Sequence, residues 1–300
     1  MKFRQLSAKV FNVKIDTNKV YGDICMKKIA FIGAGNMGGA LVLGVCKAID
    51  PQQVVIFDLN TERTKFLSET TGCTVADTAE NACADAEYIV LGVKPQQLRD
   101  VQTALIPAMK TAKENGINQK IVSIAAGITL ESLAEIPLEN GLELPVFRML
   151  PNTPSEIGEG LNIYAENSLA TEEMCAEFDA MFGKCGLVER VTEHILDVAS
   201  AVSGCTPAFA YMFIDALADG AVRCGVPRDK AIRYAAQAVK GAAAMVLETG
   251  RHPDALKDAV CSPGGSTIVG VATLEDKAFR SAAANAVYYA NEKNIQLGKK

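Results

Sequence analysis

Short apolar runs alternate with stretches of helical spacing through the first two-thirds of the chain. Residues 28–32, 54–57, 74–76, 88–93, 121–124 and 146–149 read as strands, rich in Val, Ile and Phe and closed by Gly, Asp or Pro. Between them fall helices over 37–49, where Met37, Leu41, Val45 and Ala48 share a face, over 61–69 and over 78–84. A fourth starts at Pro95, and one more precedes Val146. Continuous apolar strands alternating with helices through short connections predict an α/β, doubly wound, mostly parallel sheet covered on both faces. Tyr164 and the run Leu187 to Val191 supply its remaining pieces.

After about Thr192 the pattern changes to helices alone. Thr206-Pro207 reads as an N-cap with proline at the first helical position, opening a helix that runs through Arg223 and closes at Gly225. Further helices are expected over 229–248, 253–260, 265–274 and 276–296. Their apolar faces are built from small residues, among them Ala216, Gly220, Ala235, Ala238, Gly241 and Ala283. Such faces fit two arrangements equally well, a tight bundle within one chain or burial against another subunit. The division expected is an extension over 1–25, an α/β domain over 26–191 and an all-α domain over 192–300, with a new start at Met26.

Composition narrows the function. A net charge of −5 and pI near 5.3 disfavour nucleic acid and anionic membranes as partners. The extension has no continuous apolar run of the secretory kind, and no run of about twenty apolar residues marks a membrane span. Nine scattered cysteines, with no Cys-x-x-Cys pair, fit reduced thiols in a cytoplasm. Only His194 and His252 occur, so histidine metal sites and triads lack material and no metal is expected. His252-Pro253 reads as a helix entry.

Two glycine loops carry the candidate chemistry. Gly33-Ala34-Gly35-Asn36-Met37-Gly38 follows the first strand and opens a helix, as a dinucleotide pyrophosphate requires. Asp58 ends the second strand, where a carboxylate holds a ribose 2′-hydroxyl and repels a 2′-phosphate, favouring NADH; nearby Arg63 could instead serve the phosphate of NADPH. Val93-Lys94-Pro95 and Ala125-Ala126-Gly127 end the next two long strands and should face the nicotinamide. The second loop, Ser262-Pro-Gly264-Gly265-Ser266-Thr267, interrupts the helical half. Its glycines permit φ > 0, Ser266 or Thr267 could cap the next helix, and its backbone N–H groups form an anion site. Since the first loop accounts for the phosphates, this one is assigned to a substrate carboxylate.

The order Gly33 to Gly38, Val93-Lys-Pro95, Arg148-Met-Leu-Pro-Asn-Thr-Pro154, Ser203-Gly204 with Pro207-Ala208, Asp215 to Gly220 and Asp258 to Thr267 resembles the pyrroline-5-carboxylate reductase family from about Met26 to Asn291. The resemblance implies a Rossmann domain followed by an α-helical dimerisation domain, and a homodimer or a higher oligomer of dimers with active sites at the subunit interface. It also implies hydride transfer from NADPH or NADH to a small-molecule imine, 1-pyrroline-5-carboxylate, giving L-proline. The matching loop residues Ser262, Gly264, Gly265, Ser266 and Thr267 would hold the substrate, with Thr267 hydrogen-bonding the ring nitrogen as proton relay. Thr78 stands where the family often has an Asn touching the cofactor ribose. Other departures are Cys205-Thr206 for Ser-Gly, Ala259 for Asn, and Ser266 for Ala or Thr. Arg148 is expected to order the turn from Pro151 to Pro154. Two alternatives stay open: a 3-hydroxyacid-type dehydrogenase using Lys94, Lys240 or Lys257, and a catalytically silent nucleotide-binding paralogue.

Overall fold

A computed structural model describes residues 27–298; the extension over 1–25 and the start at Met26 lie outside the described residues. Eight strands form one sheet: β1 (Lys27–Ile32), β2 (Val54–Phe57), β3 (Thr74–Val75), β4 (Ala86–Leu91), β5 (Lys120–Ser123), β6 (Val146–Leu150), β7 (Gly160–Glu166) and β8 (Gly186–Arg190). Their order is β3-β2-β1-β4-β5-β6-β7-β8, with β6–β7 the antiparallel pairing, so that β7 and β8 run opposite to the other six strands. The sheet is therefore mostly parallel, as expected, and β7 is the fuller strand of which only Tyr164 was visible in the sequence. The order reverses between β1 and β4, and that switch point opens a crevice at the carboxyl ends of the strands.

Strand alternation divides the buried residues between two cores. Ala30, Ile32, Ile89, Leu91 and Ile121 face α3 (Ala79–Ala84), α4 (Leu98–Glu114) and α5 (Leu130–Glu139). Ile29, Phe31, Val90, Val122, Phe147 and Tyr164 face α1 (Asn36–Ala48), α2 (Thr61–Thr71) and α6 (Glu172–Phe182). Helix α1 buries Gly38, Leu41, Val42 and Val45, so Met37 and Ala48 lie at the margins of the expected face.

Beyond β8 the chain is helical: α7 (Glu193–Arg223), α8 (Arg228–Thr249), α9 (Pro253–Ala259), α10 (Ser266–Asp276) and α11 (Phe279–Gly298). The expected cap at Thr206-Pro207 is corrected. Helix α7 begins at Thr192, whose side chain accepts from the Ile195 N–H, and it runs straight through Pro207. The expectation that no segment is long and apolar enough for a membrane is also corrected, because α7 meets that test by length and composition. Its first turns are nevertheless committed to the sheet. Arg148, buried in β6, donates to Glu193 Oε1 at 3.0 Å and to Asp197 Oδ1 at 2.6 Å. Glu193 Oε1 also accepts from the Leu130 N–H at 2.7 Å. Arg148 thus clamps α7 and does not order the turn at Pro151 to Pro154. An unpaired guanidinium there would be strongly destabilising, so the two carboxylates and the arginine are required together.

Candidate active site

At the switch point three glycines touch. Gly33 has φ +98°, and a side chain there would meet the Gly92 carbonyl carbon at 2.7 Å. A Cβ at Gly38 would come within 2.2 Å of the Gly33 carbonyl oxygen, and one at Gly92 within 2.3 Å of the same atom. Around Gly35, by contrast, nothing lies within 4 Å of an added Cβ. The loop is crowded where it meets β4 and open where a pyrophosphate would lie. Gly35 is the N-cap of α1, with no side-chain cap and no acidic residue in the first turn, so the N–H groups stay available for an anion. Asn36 and Met37 begin that helix. Gly92 was missed in the sequence because it ends an apolar run that carries no glycine motif of its own.

Asp58 stands beside this loop. Its Oδ2 accepts from the Ala34 N–H at 2.7 Å and its Oδ1 from the Asn60 N–H at 2.8 Å. Two fixed donors hold the carboxylate in one orientation, and a carboxylate with about four lone-pair sites still has room for a hydroxyl. The guanidinium of Arg63 reaches across to α1, where a Cβ on Gly39 would sit 2.5 Å from its Nη2. It lies 5.3 Å from the Phe66 ring, and its Nε is buried without a partner. Thr78 caps α3, its Oγ1 accepting from the Asn81 N–H at 3.1 Å.

The other residues expected on the cofactor side follow the strands that bring them to this edge. Val93 and Lys94 lie beyond β4; Lys94 is exposed and precedes the helical turn over 95–97 that Pro95 starts. After β5, Ala125 is buried, its N–H donating to Ser123 Oγ, while Ala126 and Gly127 are exposed, Gly127 with φ +77°. All of these residues belong to loops at the carboxyl ends of neighbouring parallel strands, the edge at which such sheets take their ligands.

The second loop forms as a tight turn. The Gly265 N–H donates to the Ser262 carbonyl at 3.0 Å, and Gly264 takes φ +69°, which favours glycine. Gly265 is the N-cap of α10 and no side chain caps that helix, so the expected cap by Ser266 or Thr267 is corrected. Both residues lie in the first turn and are exposed, as is Ser262. Among the described residues, none of these three hydroxyls makes a hydrogen bond within the chain, so all are free for a ligand. No hydrogen bond or ion pair joins residues 260–278 to residues 27–191 within the chain, among those described. Within the chain, no such bond ties the second loop to the crevice at the switch point.

Two outcomes concern other candidates. His252 caps α9, its Nδ1 accepting from the Asp254 N–H, as read from the sequence. Lys240 pairs with Glu159 at 3.0 Å, and Lys257 pairs with Asp254 and Asp258. Neither lysine is a free acid–base group.

Known proteins agree with this geometry over nearly the whole chain. Residues 193–297 match the family description "Pyrroline-5-carboxylate reductase dimerisation", and residues 28–135 match "NADP oxidoreductase coenzyme F420-dependent". The chain is 38% identical over 275 residues to the pyrroline-5-carboxylate reductase of Escherichia coli K12, covering 91% of this chain and 99% of that protein. It belongs to the pyrroline-5-carboxylate reductase family. The Arabidopsis thaliana reductase is 36% identical, with 91% of this chain and 96% of that protein covered. Among solved structures, the Plasmodium falciparum pyrroline carboxylate reductase with NADP bound superposes with a TM-score of 0.78 at 30% identity, covering 91% and 98% of the two chains. The Coxiella burnetii pyrroline-5-carboxylate reductase gives 0.79 at 28% identity, with the same coverage. The cofactor is NADPH or NADH, as the glycine loop anticipates.

Proposed function

We propose that the chain reduces 1-pyrroline-5-carboxylate to L-proline. The bound dinucleotide supplies a hydride to the ring carbon of the C=N bond, and a proton completes the amine at the ring nitrogen. The observation that carries this reading is the uncapped start of α10, where free N–H groups and the free hydroxyls of Ser262, Ser266 and Thr267 lie together. With the Gly265 N–H already given to the Ser262 carbonyl, the other N–H groups around Gly264, Gly265 and Ser266 take the substrate carboxylate, which suits the positive end of the α10 dipole. Thr267 hydrogen-bonds the ring nitrogen and relays its proton. A protonated imine is already electrophilic, so position and charge complementarity are the main requirements, and no histidine is needed.

The proposed halves are residues 26–191 for the dinucleotide and 192–300 for substrate and dimer contacts, in a cytoplasmic homodimer or an oligomer of dimers. Large apolar side chains on the helical half, among them Met212 at 73% and Leu247 at 79% exposure, support a covering partner. The separation of the 260–278 segment from its own crevice supports a site completed by the partner copy. For the cofactor, the fixed negative charge of Asp58 at the ribose end favours NADH over NADPH.

Steady-state rates with NADH and NADPH, on five-membered and six-membered cyclic imines, test the reading. Turnover of the five-membered imine, faster at limiting NADH, is expected. Tight dinucleotide binding with no turnover of any imine would restore the silent paralogue. Thr267→Ala should lower kcat on the order of a hundredfold while the dinucleotide Kd stays within about twofold. An unchanged kcat removes Thr267 from the mechanism.

A further inference from the structure

Helix α7 contains a proline that costs it a hydrogen bond, and the lost bond is replaced from the nucleotide-binding half. Pro207 has no N–H, so the Ser203 carbonyl, four residues earlier, lacks its helical donor. Asn152 takes the vacant position, its Nδ2 donating to the Ser203 carbonyl at 2.9 Å. Its Oδ1 accepts from the Leu161 N–H at 2.9 Å, which fixes the orientation of the amide, since reversal would set oxygen against oxygen. Asn152 follows β6 at the carboxyl edge of the sheet, beside the loop at Ala125 to Gly127. Arg148, within β6 itself, already holds Glu193 and Asp197 on the same helix. The helix that leads into the helical half is therefore gripped from β6 on both the first turns and the turn weakened by Pro207.

We infer that Asn152 is a positioning residue for hydride transfer. By occupying the carbonyl that Pro207 releases, it fixes the direction in which α7 leaves the nucleotide-binding half. That direction sets where the helical half, and any copy docked on it, stands relative to the nicotinamide edge of the sheet. Asn152 and Pro207 form one device: the proline frees an acceptor within the helix, and the amide ties that acceptor to the edge of the sheet. Hydride transfer is sensitive to such placement, because an error of about 1 Å in the reacting atoms lowers the rate on the order of a hundredfold.

The inference rests on the reductase reading, and the test separates the two. The single variants Asn152→Ala and Pro207→Ala and their double variant are compared with the parent chain. Measurements are thermal unfolding, dinucleotide Kd by isothermal titration calorimetry, and kcat with pyrroline-5-carboxylate. Asn152→Ala should lower Tm by leaving the Ser203 carbonyl without a donor. In the double variant, the backbone N–H gained by replacing the proline should donate to that carbonyl within the helix and restore Tm toward the parent value. Turnover should behave differently. Each of the three variants should lose at least about tenfold in kcat with the dinucleotide Kd within about twofold, because the helix of the double variant is stable but no longer tied to the edge of the sheet.

Recovery of kcat together with Tm in the double variant would reduce Asn152 to a stabilising contact and overturn the inference. So would Asn152→Ala turning over within twofold of the parent. If Asn152→Ala does not fold, Pro207→Ala decides alone: stable with lowered kcat supports the device, and full activity overturns it. A parent chain inactive on the imine refutes the reductase reading, while the Tm cycle still reports whether Asn152 and Pro207 are coupled.

Discussion

At the scale of single residues, the crevice is defined by atoms that are absent. Gly33, Gly38 and Gly92 converge on one carbonyl oxygen, and the two glycines of the first loop were legible because their spacing is that of a pyrophosphate turn. Gly92 was not legible, since its reason is a neighbour distant in sequence. Gly92→Ala is expected to push the Gly33 turn out of place and weaken dinucleotide binding by more than about tenfold, with the sheet intact; calorimetric titration beside a circular dichroism spectrum checks it. Asp58 was legible by position but not in its full role. Its carboxylate braces the glycine loop through Ala34 and Asn60 before any cofactor arrives. Arg148 was misread for a related reason: a charged residue inside a strand pattern gives no hint that its partners, Glu193 and Asp197, lie on a helix more than forty residues later.

At the scale of elements, the strands other than β7 and most helices followed from local pattern, whereas the start of α7 did not. Thr206-Pro207 has the sequence signature of a helix opening, yet the true cap is Thr192. An interior proline usually costs a helix about 3 kcal/mol, a penalty that rules out such a reading unless tertiary contacts offset it. Here Arg148 holds the preceding turns and Asn152 takes the freed carbonyl, neither of which a local window contains. The junction of α9 and α11 makes a second element-scale case. Hydrogen bonding from Arg280, with a further contribution from Lys257, lowers the Asp254 carboxyl to about 2. A depressed carboxyl pKa stabilises the folded junction above the ordinary value and loses that effect as pH falls through the folded one. Protection of α9 amides from hydrogen exchange, corrected for the intrinsic pH dependence of exchange, should therefore fall between about pH 4 and pH 2. Asp254→Asn should flatten that dependence, and added salt should weaken it because the group is exposed. An unaltered pH profile in that variant would detach the ion pair from the junction.

At the scale of the whole molecule, the two halves differ in how much of their own surface they bury. The sheet carries two full cores, while among the described residues of the helical half only Ala218, Ala231 and Ala235 form a separate buried apolar cluster. The small residues at Ala216 and Gly220 lie exposed on α7, which favours the second of the two arrangements open from the sequence, burial against another copy. The second glycine loop, unconnected to its own crevice, has a genetic consequence. If each site draws its crevice from one chain and its Ser262 to Thr267 loop from the other, two dead alleles can complement. A chain carrying Gly38→Ala and a chain carrying Thr267→Ala, co-refolded in equal amounts, would form hybrids with one doubly damaged site and one undamaged site. Random pairing would return about a quarter of parental turnover from two inactive preparations. No recovery from a mixture shown to contain the hybrid would mean that each chain closes its own site.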